Sequence, residues 1–422
     1  MSIATEINRP SSTVFRRAQI RRRQTSDGLY ESTWTAITPF VKDWGHVDTS
    51  LDEPRLNRFT QAGITLRVRN NTGAFNPESI SSSLWSGFMT RYRTLVRVQA
   101  GYEDTNGTDL PPDPTQGIFV LDKPIPIAGD ANDVLLQCAS LRSVFEEVRV
   151  RDVAGMGATA SAGAMVLAIR NHSDGAGVNV FQQFITSTAW TIDSNSSNNY
   201  NPATTTSLEA KTVADFLDLL AEAEGKVWFI DRTGSFQFVA RPFVTGTSLF
   251  TFEGQGFARQ NMIKLLDYYE DWDNLYTYVR LKYLEPLTST SYVTSGTTTA
   301  VNPTNTSWRY GQRVYTFDND FISGTTTAQA IADNFFSLTS VVRNKVRFVA
   351  KMAPQLEIHD PISVSYHSYD MATQILWDTV DWNGFNWSTE GQNFDWTNRT
   401  FRVTSKRLDL DTFAMEFTAR EV

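Results

Sequence analysis

The chain has 422 residues, 41% of them apolar and 20% charged, with a formal net charge of -8. That balance excludes a disordered or coiled-coil chain and argues against a dedicated nucleic-acid binder, which needs local basicity to neutralise phosphates. One cysteine and four histidines exclude an internal disulfide, and argue against a Cys-rich zinc site or a multi-His centre. The first nine residues lack an apolar run, so no signal peptide is expected. The longest clean apolar stretch, near Ala164–Ile169, is far short of the roughly 18 residues that span a bilayer.

Residues 14–45 read as a strand pair: Val14–Arg23, turn chemistry at Thr25–Gly28, then an alternating Tyr30–Ile37. The first strand carries Arg16, Arg17, Arg21, Arg22 and Arg23. A solvated sheet edge protected by charge accounts for them. The sharper reading is a docking stripe for an acidic partner surface. Gly63–Asn70 alternates strictly, with Ile64, Leu66 and Val68 on one face, and reads as a half-buried strand. Leu95–Ala100, Gly117–Leu121 and Val134–Ala139 continue a run of short strands separated by Gly, Pro and Asn turns, the pattern of a barrel or sandwich.

The middle of the chain changes character. Phe145–Val150 and Ala160–Asn171 have helical composition, and 186–207, rich in Ser, Thr and Asn, reads as a loop. The strongest helix starts at Thr212 with Asp215 three residues on, a capping-box variant, and stops at Gly225. Val213, Phe216, Leu217, Leu220 and Ala223 line one face. A hairpin follows: Val227–Ile230, a turn at Asp231–Gly234, and Phe236–Val239. This region is α+β.

The last third returns to strands. Leu275–Leu284 alternates, 288–307 reads as an exposed hairpin tip, and Thr325–Leu338 is a helix carrying Ala328, Ile331, Ala332 and Phe335. Arg343–Lys351 is a strand. Leu356–Tyr366 is expected to be a strand, a turn at Asp360–Pro361, and a second strand. Thr400–Val422 closes the chain as a hairpin around Asp409–Thr412.

Little here points to catalysis. No nucleophile elbow, zincin helix, phosphate-binding P-loop or EF-hand loop occurs. Gly155–Gly163 lacks the third glycine of a dinucleotide loop and is better explained as a helix start. Asp267, Glu270, Asp271 and Asp273 cluster around Trp272; calcium binding or a glycosidase pair is conceivable there, but acidic turns before a strand are commoner. Trp377, Trp382, Trp387 and Trp396 hold four of the eleven tryptophans within twenty residues. They could stack on sugar faces, dock a protein, or fill a local core. Cys138, among Leu135, Leu136 and Leu141, reads as a buried small hydrophobe, and His359 and His367 as structural. No catalytic residue, metal or cofactor is expected.

Three stretches carry a family resemblance. They are Tyr30–Thr38 with Gly63–Phe75, the helix and hairpin 212–238 ending in Arg241-Pro242, and Leu356–Tyr366 with Phe401–Val422. With these, the chain resembles tail-tip or baseplate hub proteins of tailed bacteriophages and related phage-like particles. The resemblance implies a mainly β fold with an α+β insertion: two tube-like β-barrel domains flanking a small α+β domain. The expected division is 1–152, 153–250 and 251–422, with the Thr/Ser-rich loop 288–307 and the Trp-rich insertion 377–396 in the last part.

It also implies a structural virion protein and no enzyme. Such a hub forms a homotrimer at the distal end of the tail, made in the host cytoplasm. It adapts the six-fold tube to a three-fold tip and closes the channel through which DNA only passes. Its implied neighbours are a distal tail or tail tube protein above and a tip or fibre protein below. The tape-measure protein and a host-surface glycan are further candidates. The Trp-rich insertion departs from the common hub pattern and is the expected contact for a tip protein or glycan. A second reading is a distal tail protein, or another tip component, with a carbohydrate-binding region. A third, of another class, is a polysaccharide-degrading enzyme.

Overall fold

The structure, a computed structural model, describes residues 3–9, 12–23, 30–51, 58–75, 92–127, 133–154, 156, 160–174, 177–193, 199–200, 211–240, 247–284 (without 256, 258 and 260), 290–296, 313–319, 325–367 and 395–421. The fold is mainly β with an α+β part and two large sheets, in keeping with the expected class.

The first sheet is built on Ile64–Arg69, Thr94–Glu103, Thr115–Pro126 and Asp133–Ser140. The strictly alternating Ile64, Leu66 and Val68 point into the core, as period-two patterning requires. Their spatial order is second, third, fourth, first, all antiparallel. Val41–Asp43 flanks the first strand, and Thr13–Arg22 flanks the second. The second sheet repeats this plan. Asn344–Lys351, Pro361–His367, Asp395–Asp409 and Ala414–Glu421 again lie in the order second, third, fourth, first. Met262–Glu270 flanks the first strand, and its register slips after Met262 as that of Val41–Asp43 slips after Val41.

The two sheets share one core. Phe75, Phe119, Phe252, Phe348, Phe401 and Phe417 are fully buried within it. One strand stitches the sheets together. After Val41–Asp43 the chain turns at Gly45, whose φ of +64° favours glycine and where a Cβ would lie 2.9 Å from the Thr65 carbonyl oxygen. His46–Leu51 then leaves the first sheet and pairs antiparallel with Ser405–Asp409 of the second. Phe59–Gln61 pairs with it from the other side.

A second core holds the α+β part. Thr212 and Asp215 form the complete capping box, with reciprocal bonds of 3.1 and 3.3 Å, and the helix runs Val213–Ala223 before Gly225 at φ +65°. It packs on the hairpin Lys226–Ile230 and Phe236–Ala240. Ala162–Arg170, capped by Ser161, joins the same core. So does a unit expected within 251–422: Tyr278–Leu284 with Thr290–Gly296 and Val314–Asn319, and the helix Thr325–Thr339. Leu281, Phe317, Ala332 and Phe335 bury against this core rather than the shared core of the sheets. Sequence order therefore does not follow core membership in the last third.

Several local expectations change. Only Thr35–Ala36 of Tyr30–Ile37 is a strand. The expected strand over 356–359 is a turn, because Asp360 folds back to accept the Glu357 N–H at 2.7 Å and His359 adopts φ +74°. Thr290–Gly296, read as part of a loop tip, is a strand, and the 186–207 loop holds the short strand Trp190–Ile192. The helix expected over Phe145–Val150 runs Arg142–Glu147. The turn Thr25–Gly28 lies outside the described residues. No helix among the described residues is long and apolar enough to cross a membrane.

Replacing Thr212 with Ala removes one half of the capping box. It is expected to cost about 1 kcal/mol of stability in urea unfolding, and the conservative Thr212→Ser should restore most of it.

Candidate assembly site

Charged side chains from turns, strands and helices help to hold the units to one another. Arg232, at the tip of the helix-associated hairpin, is the clearest. Its guanidinium donates to the Asp113 and Thr115 carbonyls of the first sheet at 2.7 and 2.8 Å. The same group pairs with Glu357 of the second sheet's turn at 2.7 Å. Glu357 in turn pairs at 3.1 Å with Lys406, whose ammonium also donates to the Leu356 carbonyl at 2.7 Å. One side chain thus joins both sheets to the α+β part. A second knot lies behind it. Arg142 meets Asp218 at 2.6 Å and stacks 4.6 Å over Trp228, whose indole N–H donates to Asp218 at 2.7 Å. Burial raises the Asp218 pKa, against the pull of Arg142.

Between the hairpin and the turn 357–361 lies a cleft of about 490 Å³. Val227, Phe229, Val239 and Ile358 give it an apolar wall, and Arg232, Asp360 and Arg402 a charged one. Burial pushes the Asp360 carboxyl up to about 6, partly offset by its bond from the Glu357 N–H and by Lys406 and Arg232. The groups form a structural interlock, and among the described residues no set of three His, Cys, Asp or Glu side chains could hold a metal ion.

The arginine stripe is largely consumed within the chain. Arg16 donates to the Leu410 carbonyl and to Asp411 (2.7 Å), and lies 4.9 Å over Trp44. Arg17 pairs with Asp109 at 2.5 Å and Glu103 at 3.5 Å. Arg21 sits 5.1 Å over Trp34, and Arg22 is ion-paired to Glu31. Arg23 bonds through its main chain to the Arg93 carbonyl at 2.8 Å. The stripe therefore braces the first sheet and, through Arg16, clamps it to the closing hairpin of the second.

Of the tryptophans expected to meet a partner, Trp396 is a core residue, 5% exposed, edge-on to Tyr268 at 4.4 Å. Trp377, Trp382 and Trp387 lie outside the described residues. The acidic cluster is split. Asp271 is buried beside Arg420 (3.5 Å) and Lys345 (3.7 Å) and bonded by Asn274, while Asp267 faces Arg347 at 3.7 Å on the surface. Cys138 is buried, as expected, and burial raises its thiol pKa.

Sequence reading missed the exposed apolar rim along Met262–Glu270. Ile263 is 60% exposed, and Tyr269 and Trp272 are each about half exposed. This strand is the last of its sheet, and nothing among the described residues pairs with its outer side. The rim mixes these apolar side chains with the exposed charges of Lys264, Asp267 and Glu270, and an open strand edge is able to pair with another chain. The visible clue was Ile263-Lys-Leu-Leu-Asp-Tyr-Tyr269, whose apolar residues do not alternate.

No family model matches the chain, and no curated protein matches it in sequence. Solved structures do match. The chain is similar to the tail protein from Neisseria meningitidis MC58, at 8% identity over 96% of both chains with a TM-score of 0.55. It is also similar to the 43 kDa tail protein of prophage MuSo2 from Shewanella oneidensis, at 10% identity over 96% of this chain and 98% of that one, TM-score 0.49. A third is prophage tail protein gp18 from Listeria monocytogenes EGD-e, at 12% identity over 96% and 94%, TM-score 0.47. The likeness to the Neisseria protein is one of fold, and it extends over nearly the whole of both chains.

Two outcomes test the interlock. Arg232→Ala should speed hydrogen exchange at 113–117, 231–235 and 357–361 together, while the sheet cores stay protected. Asp360 is protonated more readily in the folded chain than in the unfolded one, so its contribution falls as pH rises from about 4 to 6. Asp360→Asn should therefore stabilise the chain by about 1–2 kcal/mol at pH 8 and leave it unchanged near pH 4, read from urea midpoints at both pH values.

Proposed function

We propose that this chain is a structural component of a phage-type tail tip, the trimeric hub at the distal end of the tail. The observation that carries this reading is the duplicated sheet: one chain holds the same four-strand arrangement twice, with the same flanking strand and the same register slip. Three such chains would supply six similar sheets. That is the arithmetic needed to match a six-fold tube to a three-fold tip, since closed cyclic assemblies repeat one interface around the axis. The likeness in fold to a tail protein supports the reading.

On this reading the chain acts by shape. Its charged groups are spent on holding units together, as Arg232, Arg142 and Arg16 illustrate, and no catalytic step is assigned to them. The ring would stand in the virion tail after synthesis in the host cytoplasm, with a distal tail or tube protein above it and a tip or fibre protein below. DNA would pass through its lumen once the channel opened. The expected division into 1–152, 153–250 and 251–422 is kept as a description along the sequence, with 278–339 belonging to the helical core. The insertion around Trp377, Trp382 and Trp387 remains the proposed contact for a tip protein or a surface glycan.

Symmetry-free class averages of the purified chain, or of particles containing it, test the reading. A three-fold ring with six peripheral densities around a lumen is expected. A six-fold ring would move the assignment to a distal tail protein, and a protein that never forms a ring, alone or in particles, would overturn it.

A further inference from the structure

The duplication can be followed residue by residue, and it exposes one unequal pair of edges. In the second sheet, the long strand Asp395–Asp409 is covered on one side by Pro361–His367 only up to Arg402. The remainder of that side, 405–409, is filled by the crossing strand His46–Leu51. In the first sheet, the equivalent long strand Thr115–Pro126 is covered by Thr94–Glu103 only up to Val120. Both long strands carry a register slip just beyond this point, between Val403 and Ser405 and, opposite Gln137 and Cys138, between Leu121 and Lys123. Yet no strand among the described residues fills the same side of 123–126. The first sheet lacks the partner that the second one has.

The missing partner has a counterpart too. His46–Leu51 continues directly from Val41–Asp43, the flanking strand of the first sheet. The flanking strand of the second sheet is Met262–Glu270, and aligning Val41 with Met262 at the shared slip sets Asp48 opposite Tyr269 in the count. Aligning the two long strands at their slips sets Arg407 against Ile125 in the same way. Within the chain, Asp48 and Arg407 are a directly opposed pair, 3.6 Å apart. Their counterparts, Tyr269 and Ile125, are an aromatic and a β-branched residue, a favourable cross-strand pair. Both lie on the faces of their sheets that point away from the shared core.

We propose that the outer edge of Met262–Glu270 receives residues 123–127 of a second copy of this chain, repeating between chains the junction that His46–Leu51 makes within one. The contact is heterologous, because each copy offers one edge of each kind, and such contacts make a ring when the rotation between copies closes. It rests on the three-copy reading above and adds which surfaces meet. The Ile127 N–H turns inward to the Asp133 carbonyl, so alternation turns Pro124 and Pro126 outward. Proline has no N–H to give, so this edge offers carbonyl acceptors and side chains but not a full ladder. The junction between copies is accordingly weaker than the one within a chain, and association should rise steeply with concentration.

Two single-cysteine chains test this, Ile125→Cys and Tyr269→Cys, treated with a short bismaleimide; the native Cys138 is buried. The mixture should link into dimers, neither variant alone should link, and a chain with both changes should give a ladder ending at the trimer. Ile263→Cys provides a second reporter on the same strand should Tyr269→Cys fail to fold. Tyr269→Lys should weaken association by about tenfold or more, since it sets a charge opposite Ile125 in place of an aromatic ring. Linking of one variant with itself would mean that like edges meet, which overturns the proposal. Trimers seen by light scattering without linking of the mixed pair would overturn it while leaving the trimeric reading intact. Chains that stay monomeric at the highest soluble concentration would count against both.

Discussion

The architecture depends on one strand changing sheets. His46–Leu51 belongs by sequence to the first sheet and by hydrogen bonding to the second. Because the side-chain period of a strand is two, this crossing also presents Val47, Thr49 and Leu51 to the shared core and His46, Asp48 and Ser50 to the other side. The two sheets therefore form one body around a continuous apolar interior, and cannot be separated without breaking a five-residue ladder and exposing phenylalanines from both. The glycine at 45 permits the turn that makes this possible.

Charge finishes what burial begins. Sheets and helices pack through broad apolar faces that are not directional, so they do not by themselves specify how units are oriented. Arg232, Arg142 and Arg16 supply direction, each joining segments far apart in the chain through a planar group that serves several acceptors. The partly enclosed settings of Arg232 and Arg142 keep these pairs from being screened like ordinary surface ion pairs. That the arginine stripe is used this way also explains why an acidic chain can afford a strand with no carboxylate and four arginines over Thr13–Arg22.

Duplication organises the molecule. A chain with two equivalent sheets presents two versions of one surface. The helical core, with 278–339 folded into it, is where the two halves of the chain cease to be alike. On the proposed reading the chain would act by geometry, through which strand edges are covered and which are left open.

Much of this is legible in the sequence. Period-two runs such as Ile64–Val68 and the Thr212–Asp215 capping box are local, and local patterns survive into the structure because the same residues that form the element also bury its face. The helices, the hairpin at 227–239 and the mainly β class followed from such signals. Partnership did not follow. Nothing in the spacing of Arg16 or Trp396 says whether a cation or an indole faces another molecule or its own chain, since that is decided by distant segments, Asp411 for one and Tyr268 for the other. The turn at 357–360 escaped for the same reason at short range, an Asp side chain outcompeting the strand ladder. Periodicity and capping set the elements, because both act within a few residues of each other. Which strand crosses, which charges pair within the chain and which edge stays open is settled in the folded molecule, because those depend on contacts that form when distant segments are brought together.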